Sequence, residues 1–240
     1  MDATSLIPSL LDIAKKVHHE ELTFLNHLSP AEQNARGSLQ KWAPKDELNH
    51  LNYWKRRAIE RLSYFSRGMP APAYPGYLEC NDSNFNEYKD TSLPFILRES
   101  DNILKSLAAV MERFAPEEVI EKGKLTPKDA NASLLSFILD NFVSHPLNHI
   151  ALQYHVRGET EKGNGLMNQA LEHYARFSDD AYVQAMGNYY ATDYFVNSGQ
   201  NSSAIELLRQ AIVLYPDIKA ELADSYPSLN EDPAFQDLIK

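Results

Sequence analysis

Apolar residues in this 240-residue chain recur at intervals of three and four, the spacing of one helix face. From Ser5 to Leu28 the stripe reads Leu6, Leu10, Ile13, Val17, Phe24 and Leu28. From Pro44 it reads Leu48, Leu51, Trp54, Ala58, Leu62 and Phe65, and Gly68 closes the segment. A third stripe runs from Leu93 to Phe114. A fourth, starting near Asn131, places Leu134, Leu135, Ile138, Phe142, His145, His149, Leu152 and Val156 on one arc. The chain holds only nine glycines. Average usage of ~7% would give roughly 17, so a sheet-rich chain with many tight turns is disfavoured. These patterns predict an all-α fold.

Between the second and third stripes, Met69 to Tyr88 opens with the proline-rich MPAPAYP and shows no helical period. The spacing predicts a long ordered connection, the crossover a helix bundle needs when neighbouring helices run parallel. Four amphipathic helices and one crossover predict a four-helix bundle over residues 1–158. Past it, Gly158 matches Gly199, Gln169 matches Gln210, Ala170 matches Ala211 and Tyr174 matches Tyr215 at one constant offset. Gly199, Ala204, Ala211 and Pro216, with Phe195 ahead of them, resemble a tetratricopeptide helical hairpin, and the first copy is degenerate. Residues 159–240 are therefore expected to form tetratricopeptide-like hairpins packed on the bundle.

Charge narrows the function. With 33 acidic against 23 basic side chains and a net charge of −10, the chain lacks the clustered cations of a nucleic-acid binder. No window approaches the ~20 apolar residues of a membrane-spanning helix. No secretory leader is evident and the single cysteine, Cys80, cannot close an intrachain disulfide, so a cytoplasmic location is expected.

Among eight histidines, His145 and His149 stand four apart, which puts both imidazoles on one helix face. Core histidines satisfied by carbonyls or water would give the same pattern. His50 lies at the edge of the buried face of the second helix, one turn before Trp54. Three neutral imidazoles from two facing helices leave open positions on a divalent ion, the arrangement of a catalytic site. Pro146 between the pair must kink the helix or start a new one. Trp54, Tyr53, Tyr74 and Tyr77 are candidate pocket-lining residues, and Arg57 and Arg61 could meet an anionic substrate. His18-His-Glu-Glu21 reads as a solvated face, because adjacent helical residues diverge by about 100°. Cys80 has acidic company and is a poor candidate nucleophile.

The run Trp42-Ala-Pro-Lys-Asp-Glu-Leu-Asn-His50-Leu-Asn-Tyr-Trp54 resembles the opening of helix two in the DinB-like superfamily. Arg67 to Tyr77 and Asn84 to Tyr88 are similar to the crossover of its DfsB branch, which includes the colibactin self-protection (ClbS-like) proteins. Ser144-His145-Pro-Leu-Asn-His149 resembles that branch's last bundle helix. The resemblance covers about residues 5–158. Ala43 departs from it where Ser or Thr usually caps the helix. It implies a DinB-like four-helix bundle whose His50, His145 and His149 hold zinc, nickel, iron or a similar divalent metal. The activity it implies is hydrolysis of, or thiol transfer to, an electrophilic small-molecule substrate. The alternative is a non-catalytic binding module whose hairpins take a peptide or a second subunit as a homodimer.

Overall fold

In a computed structural model, residues 3–123 and 130–240 are described, and among them every regular element is helical; the nearest approach to a sheet is one isolated bridge between Ser38 and Lys41. No helix among the described residues is long and apolar enough to cross a membrane. The chain divides into two compact units, residues 2–121 and 122–240. The position at 158 marked from the sequence is a helix break inside the second unit.

The first unit is built on α1 (Ala3–His27), α2 (Pro44–Phe65) and α4 (Leu93–Met111). Their expected stripes are buried: Leu10, Ile13 and Val17 on α1, Leu48, Leu51, Ala58 and Leu62 on α2, Ile96, Ile103 and Leu107 on α4. A polar tie fixes α2 against α4. The Asn52 amide donates to the Ile96 carbonyl at 3.0 Å, and the Ser100 hydroxyl donates to Asn52 Oδ1 at 2.9 Å. Both partners are buried, so losing either would leave an amide unsatisfied.

The crossover differs from expectation. Only its proline-rich start is irregular, and Tyr77–Tyr88 forms a helix, α3. Its buried residues are Cys80, Asn81, Asn84 and Phe85, which share one face at helical spacing. Half of that face is asparagine, so it carries no apolar stripe to read.

In the second unit, α5 (Leu134–Leu139) starts later than expected. Ser133 caps it, accepting from the Ser136 N–H while its own N–H donates to Ser136 Oγ. Asp140–Ser144 then widens into a π-turn, and α6 (His145–Val156) begins with Pro146 in its first turn. Pro146 has no N–H to donate to the carbonyl four residues back, and its ring crowds that carbonyl. The wider turn relieves the clash, with the His145 N–H reaching back to the Asp140 carbonyl.

Next come α7 (Thr160–Ala175), α8 (Ala181–Asn197) and α9 (Asn201–Leu214), each packed on the one before it. Gly158 and Gly199, the paired glycines of the sequence repeat, both have positive φ, at 80° and 72°, and both sit just after a helix ends. Ala204, Leu208 and Ala211 of α9 are fully buried, as the small-residue pattern requires. Val156, placed on the inward stripe by its spacing, is 73% exposed, because α6 ends there.

Candidate functional site

The start of α2 fixes the first half of the site. Ala43 provides no side-chain cap, and the carboxylate of Asp46 does that work from within the first turn. It accepts from the Ala43 N–H at 3.0 Å and the Gly37 N–H at 2.9 Å. This holds Trp42 at the mouth of the helix, with its ring 4.5 Å from that of His50. His50 is buried, 1% exposed. Trp54, one turn further along, meets the His50 ring edge-on at 6.3 Å.

The crossover is docked on the same stretch of α2. Trp54 stacks on Tyr77 at 5.3 Å and donates its indole N–H to Asn81 Oδ1 at 3.0 Å. Tyr53 packs edge-on against Trp54. Asn49 donates to Asn84 at 3.4 Å. The Arg57 guanidinium lies 4.2 Å from the centre of the Tyr74 ring and donates to the Tyr53 hydroxyl, while the Tyr74 hydroxyl donates to Glu60 at 2.9 Å. Burial pushes the Tyr53 and Tyr74 hydroxyls above their ordinary range; a Cys80 contact adds to this for Tyr53, and the Glu60 carboxylate does so for Tyr74. All four aromatic candidates thus belong to one patch, and Arg57 is its clamp. Cys80 is buried beneath it, its thiol directed at the Pro75 carbonyl.

In the second unit, His145 and His149 pack edge-to-face with ring centres 4.8 Å apart, so beginning a new helix at Pro146 keeps the pair on one side. Asn148, between them in sequence, donates to the Tyr190 carbonyl at 2.8 Å, and its buried Oδ1 has no hydrogen-bond partner among the described residues. His50, His145 and His149 form a group whose potential ligand nitrogens all lie within 4.8 Å of one another, and such a group could hold a metal ion. The donor set is all imidazole, which suits zinc, nickel or iron and disfavours calcium or magnesium.

The reading of His18-His-Glu-Glu21 as a solvated face is corrected. His18 and Glu21 are buried and three residues apart on one side of α1, while His19 is exposed and Glu20 half-buried. His18 Nδ1 lies 3.1 Å from Glu21 and Nε2 lies 3.2 Å from Asp101 on α4. Lys55 of α2 pairs with the other Glu21 oxygen. The cluster ties three helices through the Lys55–Glu21 ion pair and the hydrogen bonds of His18.

Sequence reasoning did not single out Trp42, Asn81 or Asn84 as site residues. Trp42 entered only as the first letter of a motif, and asparagines on a helix face give no hydropathy signal. In comparisons with known proteins, no family model, curated protein or solved structure matches this chain.

Proposed function

We propose that the chain is a DinB-like metal-dependent hydrolase or thiol transferase, acting in the cytoplasm on an electrophilic small molecule. The observation that carries this reading is the three-imidazole group of His50, His145 and His149. It is supported by the motif resemblance from Trp42 to Trp54 and from Ser144 to His149, which includes all three histidines. A divalent ion held there would bring the pKa of a bound water or thiol toward neutrality. The chain's own residues supply the surroundings. Trp42 and Trp54 pack against His50 and keep bulk water from its ring. Trp54, Tyr53, Tyr74 and Tyr77 offer the substrate an aromatic wall, and Arg57 sets one positive charge in it. In this reading residues 1–158 form the four-helix bundle and the following helices are tetratricopeptide-like.

Metal analysis of protein purified without an affinity tag tests the proposal. About one equivalent of zinc, nickel or iron is expected in the native chain. His149→Ala should lose it while keeping its helix content, because a buried imidazole without its ion is replaced by alanine and water at small cost. Full metal occupancy in His149→Ala, or a native chain that takes up none of these ions, overturns the reading.

One observation favours a second reading, a non-catalytic binding module. A groove of about 580 Å³ lies in the second unit, lined by Leu171 and Tyr174 of α7, Gln184 and Asn188 of α8, and Arg209 and Val213 of α9 among others. Val213 is 78% exposed there. A metal-free chain that binds a peptide or a second copy through this groove would fit that reading.

A further inference from the structure

The indole N–H of Trp42 is buried and has no hydrogen-bond partner among the described residues. A buried donor left unpaired is costly, so native chains retain one where a water or a ligand completes it. Its setting shows what kind of ligand that is. Trp42 lines a narrow crevice together with His50, Asn49, Asn84, Asp46, Phe85 and Lys89. The crevice offers about 10 Å³ to water-sized centres, room for about one water or one oxygen atom of a larger molecule.

Apart from Phe85, the remaining lining is polar. Asn49 donates to Asn84 through one N–H, which leaves amide N–H capacity on both side chains. Lys89 also lines the crevice, with its ammonium donating to Asn86 at 3.4 Å. One oxygen of the Asp46 carboxylate, Oδ2, already accepts from the backbone N–H groups of Gly37 and Ala43, which blunts its repulsion of an incoming oxygen. An apolar group would leave the Trp42 donor unpaired, whereas a carbonyl or carboxylate oxygen would satisfy it.

We infer that Trp42 is a substrate-binding residue whose indole N–H donates to an oxygen of a carbonyl- or carboxylate-bearing molecule seated beside His50. This inference rests on the proposed small-molecule reading and deepens it, since it names the oxygen-bearing class of substrate. It also assigns the first tryptophan of the motif a role distinct from that of Trp54, whose indole N–H is taken by Asn81.

Formate, the smallest carboxylate, is the probe. Indole N–H signals in ¹H–¹⁵N spectra are assigned with Trp42→Phe and Trp54→Phe, and formate is titrated into zinc-loaded and metal-stripped protein. The Trp42 signal is expected to move downfield and saturate in both forms. Trp42→Phe keeps an aromatic ring, smaller than the indole, and deletes the donor. It should weaken formate binding about fivefold, read from the backbone amides of Asn84 and Lys89, with melting temperature and zinc content unchanged; one hydrogen bond accounts for a factor of that size. A Trp42 signal that stays still at high formate, or equal affinity in Trp42→Phe, overturns the inference. Failure to take up zinc would overturn the three-histidine reading instead, and the Trp42 signal of the metal-free protein still decides this one.

Discussion

The indole of Trp54 and the phenol of Tyr77 stack 5.3 Å apart with their planes 20° from parallel, and this pair fastens the crossover helix α3 to α2. Tyr77 is 57% exposed, so the stack is the outer edge of the patch rather than part of the core. The Trp54–Asn81 hydrogen bond and the Tyr74–Glu60 bond hold the same segment at two further points. The proline-rich start of the crossover, residues 69–76, is thereby pinned at its C-terminal end without secondary structure of its own.

Trp54→Ala should release that segment. It removes the stack and the Asn81 bond together, at a cost of about 2 kcal/mol for a half-buried aromatic. Limited proteolysis should then cut within residues 69–76 at least tenfold faster than in the native chain, while Trp42→Phe leaves the rate unchanged. Equal cleavage rates in Trp54→Ala and native protein would show that the stack does not hold the crossover.

The buried ion network on α1 sets the acid limit of the first unit. Burial works to raise the Glu21 carboxyl, but the Lys55 ammonium and His18 outweigh it and hold the group below the usual carboxylate range. A folded-state pKa below the unfolded one gives stability that is fully present above about pH 4.5 and is lost as pH falls through the folded value. Glu21→Gln should cost about 3–5 kcal/mol at neutral pH, because it strands the ammonium of Lys55, itself 4% exposed. Replacing both partners, Glu21→Leu with Lys55→Met, should recover much of that loss. Denaturant unfolding at pH 7 and pH 4 checks both statements; a single variant as stable as the native chain would remove the network from the account.

How far the sequence told these things depends on what marked each face. The stripes of α1, α2 and α4 were legible because leucine, isoleucine and valine mark them, and the all-α class followed. The break at Pro146 was legible because proline chemistry is local. The helix α3 was not, since Cys80, Asn81, Asn84 and Phe85 hide its inner face from a hydropathy reading. His18 and Glu21 were misjudged for a related reason. Their neighbours His19 and Glu20 diluted the pattern, and the partners that bury them, Lys55 and Asp101, lie far along the chain. The three candidate metal ligands were named from spacing and resemblance, but the unpaired donor of Trp42 is a property of packing that no spacing announces.

The helices after Gly158 should be integral to the second unit. Gly163 of α7 leaves no room for a methyl group: a Cβ there would lie 2.4 Å from the Tyr194 hydroxyl and 2.8 Å from the Ala151 carbonyl. Tyr154 and Ala151 of α6 are buried at this approach. Gly163→Ala should therefore destabilise the chain by about 1–3 kcal/mol through overpacking, although alanine is the better helix former. Truncation after residue 158 should lower the melting temperature by more than 10 °C. A truncated chain that melts like the full one would mean that α6 does not need α7 to α9.

Asp140, in the π-turn ahead of α6, should give the second unit a pH dependence opposite to that of the first. Burial, with a smaller contribution from the charge of Asp193, pushes its carboxyl up to about 7. Tyr174 and Tyr190 are the other titratable groups it influences, and both are held above the usual phenol range, chiefly by burial. A folded-state pKa above the unfolded one means that the folded chain binds the proton more tightly. Stability from this group is then fully present below about pH 4 and is lost as pH rises through about 7. Asp140→Asn keeps the shape and removes the charge. It should be close to neutral for stability at pH 5 and stabilising by about 1 kcal/mol at pH 8, a figure reduced for partial access of water to the carboxyl. Asp193→Asn should lower the Asp140 pKa, since it removes the nearby like charge. Melting curves of the native chain and Asp140→Asn between pH 5 and pH 8 read the difference directly, and two curves that stay parallel across that range would show that Asp140 titrates as an ordinary carboxylate.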